Sequence, residues 1–236
     1  MPTSPKLLSR RSGLNMDITS PRSEAELLQR CGALAGKSLG QVAAELDVAM
    51  PASRTRGKGW AGQLLERYLG ASAGSQPQPD FVALGIELKT IPVNRQSRAG
   101  ESTFVCMAPL TGAAGLRWPD STVRRKLNRV LWVPLEADPT ILPQHSRVGN
   151  AFLWSPSPHQ ARILEQDWQE LMELLCFGDF DQVSAKHGQY LQIRPKAANA
   201  ASLARATLAD GNSGHTLPRG FYLRARFTNM LLEEYL

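Results

Sequence analysis

The sequence predicts a mixed α/β (α+β) fold with a small central sheet flanked by helices. Three observations carry this. Segments of helical period alternate with short strand-like runs, with helices at both ends. The 236 residues are enough for a core divided into two lobes around a cleft. There are no internal repeats or low-complexity tracts.

Residues 1–22 are rich in Ser, Pro and Arg and lack the apolar centre of a secretory signal, so they read as a disordered tail ahead of one domain over 23–236. Ser23-Glu24-Ala25-Glu26 is a capping box opening a helix with Leu27 and Leu28, and Ser38-Leu39-Gly40-Gln41 opens a second with Val42 and Leu46 on its apolar side. After a basic loop at 51–59, a third helix is expected over 60–69, stopped by Gly70. The Gly, Ser, Pro and Gln of 70–79 make a loop. Strands are expected at 81–91, 103–108 and 130–135, with a basic helix at 121–129 between the last two. Leu164, Trp168, Leu171 and Leu175 mark a long amphipathic helix that Gly178 ends. A strand at 190–193, a loop at 194–196, a helix at 197–209, a strand at 221–224 and a helix at 229–236 complete the chain. Phe104, Trp118, Trp132, Trp154 and Trp168 lie in apolar runs and read as core.

Composition narrows the function. Apolar residues make up 42% of the chain, and no run approaches the roughly 18 residues of a membrane span. The net charge of +6 rests mainly on arginine, 20 Arg against 7 Lys, which favours a polyanionic partner. Cys31, Cys106 and Cys176 form no Cys-x-x-Cys pair, sit in apolar contexts and read as reduced, buried thiols of a cytosolic protein. The four histidines lack metal-ligand spacing, so no zinc site is expected.

The segment with chemical content is Asp80…Glu87-Leu88-Lys89. Residues two apart on a strand face the same way, so Glu87 and Lys89 leave the sheet together. A bend after Asp80 can return its carboxylate to Glu87. Carboxylates hold a hard cation such as Mg²⁺, and a neighbouring lysine orients or deprotonates water or stabilises charge on a phosphate. The pattern is weak alone, although Lys89 is the only lysine with an acidic residue two positions earlier. Glu66 adds to it. At roughly 100° per residue, it falls just outside the arc of Trp60, Leu64, Leu65, Tyr68 and Leu69, at the edge of the packed face.

Five blocks resemble the MutH family: GWAGQLLERYLGASAGSQPQPDFVALGIELKTIPV at 59–93, FVCMAPLTG at 104–112, VRRKLNRVLWVPLE at 123–136, YLQIRPKAANA at 190–200 and TLPRGFYLRARFT at 216–228. They keep their order and span most of the chain. Only the tail before about Ser23 departs.

The resemblance implies a restriction-endonuclease-like fold whose two lobes clamp DNA, with catalysis mainly in the N-terminal half and recognition mainly in the C-terminal half. It implies an endonuclease that nicks the unmethylated strand at hemimethylated GATC sites in methyl-directed mismatch repair. It assigns Glu66, Asp80, Glu87, Lys89 and Lys126 to the active site. Glu66, Asp80, Glu87 and the Leu88 carbonyl become ligands for Mg²⁺, with Mn²⁺ able to substitute. Arg194, Pro195 and Lys196 are expected to read the site in the major groove, where arginine makes bidentate contacts to guanine. Lys58 becomes a further DNA contact, and Tyr222 the sensor of adenine methylation. The implied partners are double-stranded DNA containing GATC and MutL as activator, with MutS upstream. The protein is expected to be a cytoplasmic monomer. A type II restriction endonuclease cutting both strands of the same tetranucleotide and a DNA-binding module without catalysis are the alternatives.

Overall fold

A computed structural model describes residues 18–51, 59–74, 76–178, 180, 187–197 and 201–236. Lys58 lies outside them, as do residues 1–17 of the expected tail. The helices are α1 (Glu24–Leu34), α2 (Leu39–Glu45), α3 (Trp60–Leu69), α4 (Thr122–Leu127), α5 (Pro158–Cys176) and α6 (Ala225–Tyr235). The strands are β1 (Glu87–Val93), β2 (Thr103–Met107), β3 (Val130–Glu136), β4 (Phe152–Trp154), β5 (Leu191–Pro195), β6 (Ala204–Thr207), β7 (Ser213–Thr216) and β8 (Arg219–Leu223). Among the described residues they form three small sheets rather than one: β1-β3-β4, β2-β8-β5 and the β6-β7 ribbon.

Capping chemistry sets the helix starts. Ser38 and Gln41 form the full reciprocal box on α2. At α1 only half of it forms. Ser23 accepts from the Glu26 N–H, but the Glu26 carboxylate takes the Arg22 N–H instead. Thr19 and Ser20, assigned to the tail on composition, are hydrogen-bonded to the body of the protein. The Thr19 carbonyl accepts from Arg30 and the Ser20 hydroxyl donates to the Gly70 carbonyl.

The mixed sheet divides the interior. β1 and β3 run parallel, with Glu87 opposite Val130 and Lys89 opposite Trp132. Both faces of the pair are covered, as parallel strands require. Leu88, Leu131, Val133 and Leu135 pack beneath α1, α2 and α3. Ile91, Val130 and Trp132 join a larger core built from α4, α5, α6 and the β2-β8-β5 sheet. By alternation, Glu87 and Lys89 face the larger core's side.

Three expectations are corrected. The strand over 81–91 is broken: Phe81 bridges Ile86 around a 3-10 turn at Val82–Leu84, because Gly85 takes φ 66° and reverses the chain. No helix runs over 197–209 in the described residues. Ala204–Thr207 is β6, where Ala206 is buried and Arg205 and Thr207 are exposed, so alternation overrides the helix propensity of alanine. The strand expected to end at 193 continues to Pro195, which puts Arg194 on a strand rather than a loop. β5 lies at a sheet edge, where proline's missing N–H costs no ladder bond. The short β4 and β7 were not foreseen, and α6 begins a turn earlier than expected. Cys31 and Cys106 are buried as expected, but Cys176, in the last turn of α5, is exposed.

Candidate active site

Local folding at the end of α3 brings two carboxylates together. Gly70 caps the helix at φ 84°, and the following chain pairs with residue 80. The Asp80 carbonyl accepts from the N–H groups of Ser72 and Ala73 at 2.8 and 3.2 Å. This stitches the approach to β1 against the helix that carries Glu66. The tight loop between Phe81 and Ile86 then turns the chain so that Asp80 Oδ2 accepts from the Leu88 N–H at 2.8 Å. Glu66 and Asp80 are both half-buried.

Glu87 is at the centre. It is 3% exposed and Lys89 is 8% exposed. Lys89 Nζ donates to Glu87 Oε1 at 2.9 Å. Lys126 Nζ, coming from α4, lies 2.9 Å from both Glu87 oxygens. A carboxylate this buried is costly unless it is paired, and here two ammonium groups meet it. Its backbone is also tied: the Glu87 N–H donates to the Arg129 carbonyl at 3.0 Å. The Arg129 guanidinium is held in turn by both oxygens of Glu24 on α1.

The other two carboxylates feel this negative charge. Burial raises Glu66 above the ordinary carboxylate range, and the charges of Asp80 and Glu87 raise it further. Burial and then Glu87 raise Asp80, against the Leu88 N–H. Three oxygen-donor groups so placed suit a hard cation chemically. Among the described residues, no three acidic, histidine or cysteine side chains already close on a single ion position. Glu87 is turned to its lysines and Asp80 to Leu88.

A second group of side chains occupies one face of the β2-β8-β5 sheet. Tyr222 is opposite Phe104 on one side and Gln192 on the other. The Phe104 and Tyr222 rings meet edge to face at 5.3 Å. Arg194 lies over the Tyr222 ring at 5.9 Å and Lys196 over the Phe104 ring at 4.5 Å. Gly220 lies beneath Phe104, and a Cβ there would come within 2.7 Å of its ring. Burial raises the Tyr222 hydroxyl above its ordinary range, against the lowering effect of Arg194. Arg194, Pro195 and Lys196 are exposed.

Phe104 is therefore not core, unlike the four tryptophans. Its neighbour Val105 takes the inward position. The alternation around Val105 carried that information, but apolar context alone masked it. Ser102 and Gln192, which bond to each other on this face, were also missed, because a serine and a glutamine in isolation carry no signal.

A parallel strand pair that carries a carboxylate and a lysine, with further carboxylates from a preceding helix and turn, defines a protein of the restriction-endonuclease-like fold. The family model described as "DNA mismatch repair enzyme MutH" matches residues 69–167. The DNA mismatch repair protein MutH of Vibrio parahaemolyticus is 53% identical over 215 residues, 91% of this chain and 95% of that protein. That of Shewanella amazonensis is 51% identical over 214 residues, 91% and 96% of the two chains. That of Escherichia coli is 50% identical over 218 residues, 92% and 95%. The chain belongs to the MutH family of DNA mismatch repair enzymes.

Proposed function

We propose that this protein is a Mg²⁺-dependent endonuclease that nicks the unmethylated strand of hemimethylated GATC sites during mismatch repair. It works as a monomer in the cytoplasm and is activated by MutL, with MutS upstream. The observation that carries the reading is the convergence of Glu66, Asp80 and Glu87 with Lys89 and Lys126 at the start of β1. No described helix is long and apolar enough to cross a membrane.

The reaction is attack of water on phosphorus with departure of a sugar oxygen. Glu66, Asp80, Glu87 and the Leu88 carbonyl would hold Mg²⁺, or Mn²⁺ in its place. Such an ion supplies positive charge against the phosphate and makes water a better nucleophile. Lys89 and Lys126 offer N–H donors to the charge that builds on the phosphate oxygens and to the attacking water. Their contacts with Glu87 fix where those donors stand. The burial of Glu87 and Lys89 strengthens each interaction by excluding solvent.

Recognition falls to the second face. Arg194 reads guanine, with Pro195, Lys196 and Lys58 contributing DNA contacts. Tyr222 meets the adenine edge, where an added N6-methyl would collide with it. Replacing Tyr222 by alanine should therefore narrow the rate difference between unmethylated and methylated strands by roughly tenfold or more, the scale on which one methyl group is discriminated. Strand-resolved cleavage of a hemimethylated duplex measures this.

The test of the whole reading is a nicking assay with Mg²⁺ and MutL on three circular DNAs carrying one GATC, either unmethylated, hemimethylated or fully methylated. Nicking of the unmethylated strand in the hemimethylated circle, with none in the fully methylated one, supports the proposal. Methylation-blind linearisation would point to a restriction enzyme instead, and absence of cleavage to a binding module.

A further inference from the structure

Arg194, the proposed guanine reader, meets the side chain of Ser102, just before β2. The Ser102 hydroxyl oxygen accepts two hydrogen bonds. One comes from Gln192 Nε2 at 2.6 Å and the other from Arg194 Nη1 at 3.3 Å. A hydroxyl has two lone pairs, and these two donors occupy both. Gln192 is only 6% exposed, so it anchors the serine from the buried side. Arg194 projects from the sheet edge. It lies above the Tyr222 ring and reaches Ser102 with its guanidinium.

Gln192 and Arg194 are two apart on β5 and so face the same way, and Tyr222 stands opposite Gln192 on β8. Ser102 thus bridges β2 to β5 over the central strand of the sheet, β8. An unrestrained arginine carries large rotamer entropy, which a bidentate contact to a base must overcome. Held by a ring on one side and a hydroxyl on the other, the guanidinium fork already has one preferred direction.

We infer that Ser102 is a positioning residue for sequence selectivity: it pre-orients Arg194 and couples it to the buried Gln192. The inference rests on the proposed reading of guanine by Arg194. It requires that removing the hydroxyl weaken the guanine contact itself rather than DNA binding in general.

The experiment is equilibrium binding of the full-length protein to hemimethylated GATC duplexes, with guanine or with 7-deazaguanine, which lacks the N7 acceptor, at the recognition position. The wild type should bind the 7-deaza duplex more weakly. Ser102→Ala should weaken binding to the natural duplex by about fivefold, the scale of one lost hydrogen bond. It should also shrink the 7-deaza penalty, because a misdirected Arg194 has less to lose. Ser102→Thr, which keeps the hydroxyl, should restore both values. If Ser102→Ala retains the full wild-type penalty, the positioning role is wrong while the guanine reading stands. If the wild type itself is indifferent to 7-deazaguanine, the guanine reading fails and this inference fails with it.

Discussion

Replacing Glu87 by glutamine should lower DNA cleavage by about a thousandfold or more, the scale of losing a principal charged group from a metal-assisted site. The substitution keeps the shape and removes the charge. Among the described residues, Glu87 is the one carboxylate touched by both lysines, and its charge raises the protonation range of Glu66 and Asp80. Without it, Lys89 and Lys126 lose the partner that sets their positions. DNA binding should hold or tighten, because one negative charge fewer lies beneath the proposed DNA-cleaving site. Single-turnover cleavage beside an equilibrium binding measurement separates the two effects. A variant retaining more than about a tenth of wild-type cleavage would mean that the chemistry lies elsewhere.

The second large effect concerns stability. Asp167 on α5 is 4% exposed and has no part in the proposed chemistry. Its carboxylate accepts from three successive backbone N–H groups, those of Gln189, Tyr190 and Leu191, at 2.6, 2.5 and 2.8 Å. These groups stand where β5 begins, before the sheet ladder can satisfy them. Asp167→Ala should cost about 3–5 kcal/mol, since leaving a buried donor unmet costs roughly 1–3 kcal/mol and several are affected at once. Asp167→Asn keeps one acceptor oxygen and should fall between the two. Denaturant unfolding midpoints measure both. A loss under about 1 kcal/mol for alanine would mean that water replaces the carboxylate.

What could be read from the sequence follows from how local each signal is. α2 was legible because its Ser38 cap and apolar positions lie within one segment, and α5 because its apolar periodicity does; the Ser157–Gln160 capping box that opens α5 was not read from the sequence. The break after Phe81 was hidden, because a run of apolar residues looks alike whether it is extended or folded around Gly85. The helix expected over 197–209 failed for a related reason. Alanine content speaks for a helix, while the burial of Ala206 depends on distant parts of the chain. At the site, Glu-x-Lys spacing put Glu87 and Lys89 on one face. The approach of Lys126 depends on α4 packing against β2 and follows from no pattern in the Asp80–Lys89 segment. The tie from Arg129 to Glu24 spans 105 positions, beyond any local pattern.

The contacts of Thr19 and Ser20 bear on where this chain can be shortened. A reading of helices alone would start a minimal domain at Ser23. Yet Arg30 binds the carbonyls of Thr19 and Leu69 together, and Ser20 holds the Gly70 carbonyl, so the segment at 18–22 straps down the end of the helix that bears Glu66. Gly70 accepts that strap only because it lacks a side chain: a Cβ there would stand 2.5 Å from the Thr19 carbonyl oxygen. A chain begun at residue 23 should fold and still be a poorer enzyme than one begun at 18, with the deficit appearing at the carboxylates rather than in the grip on DNA.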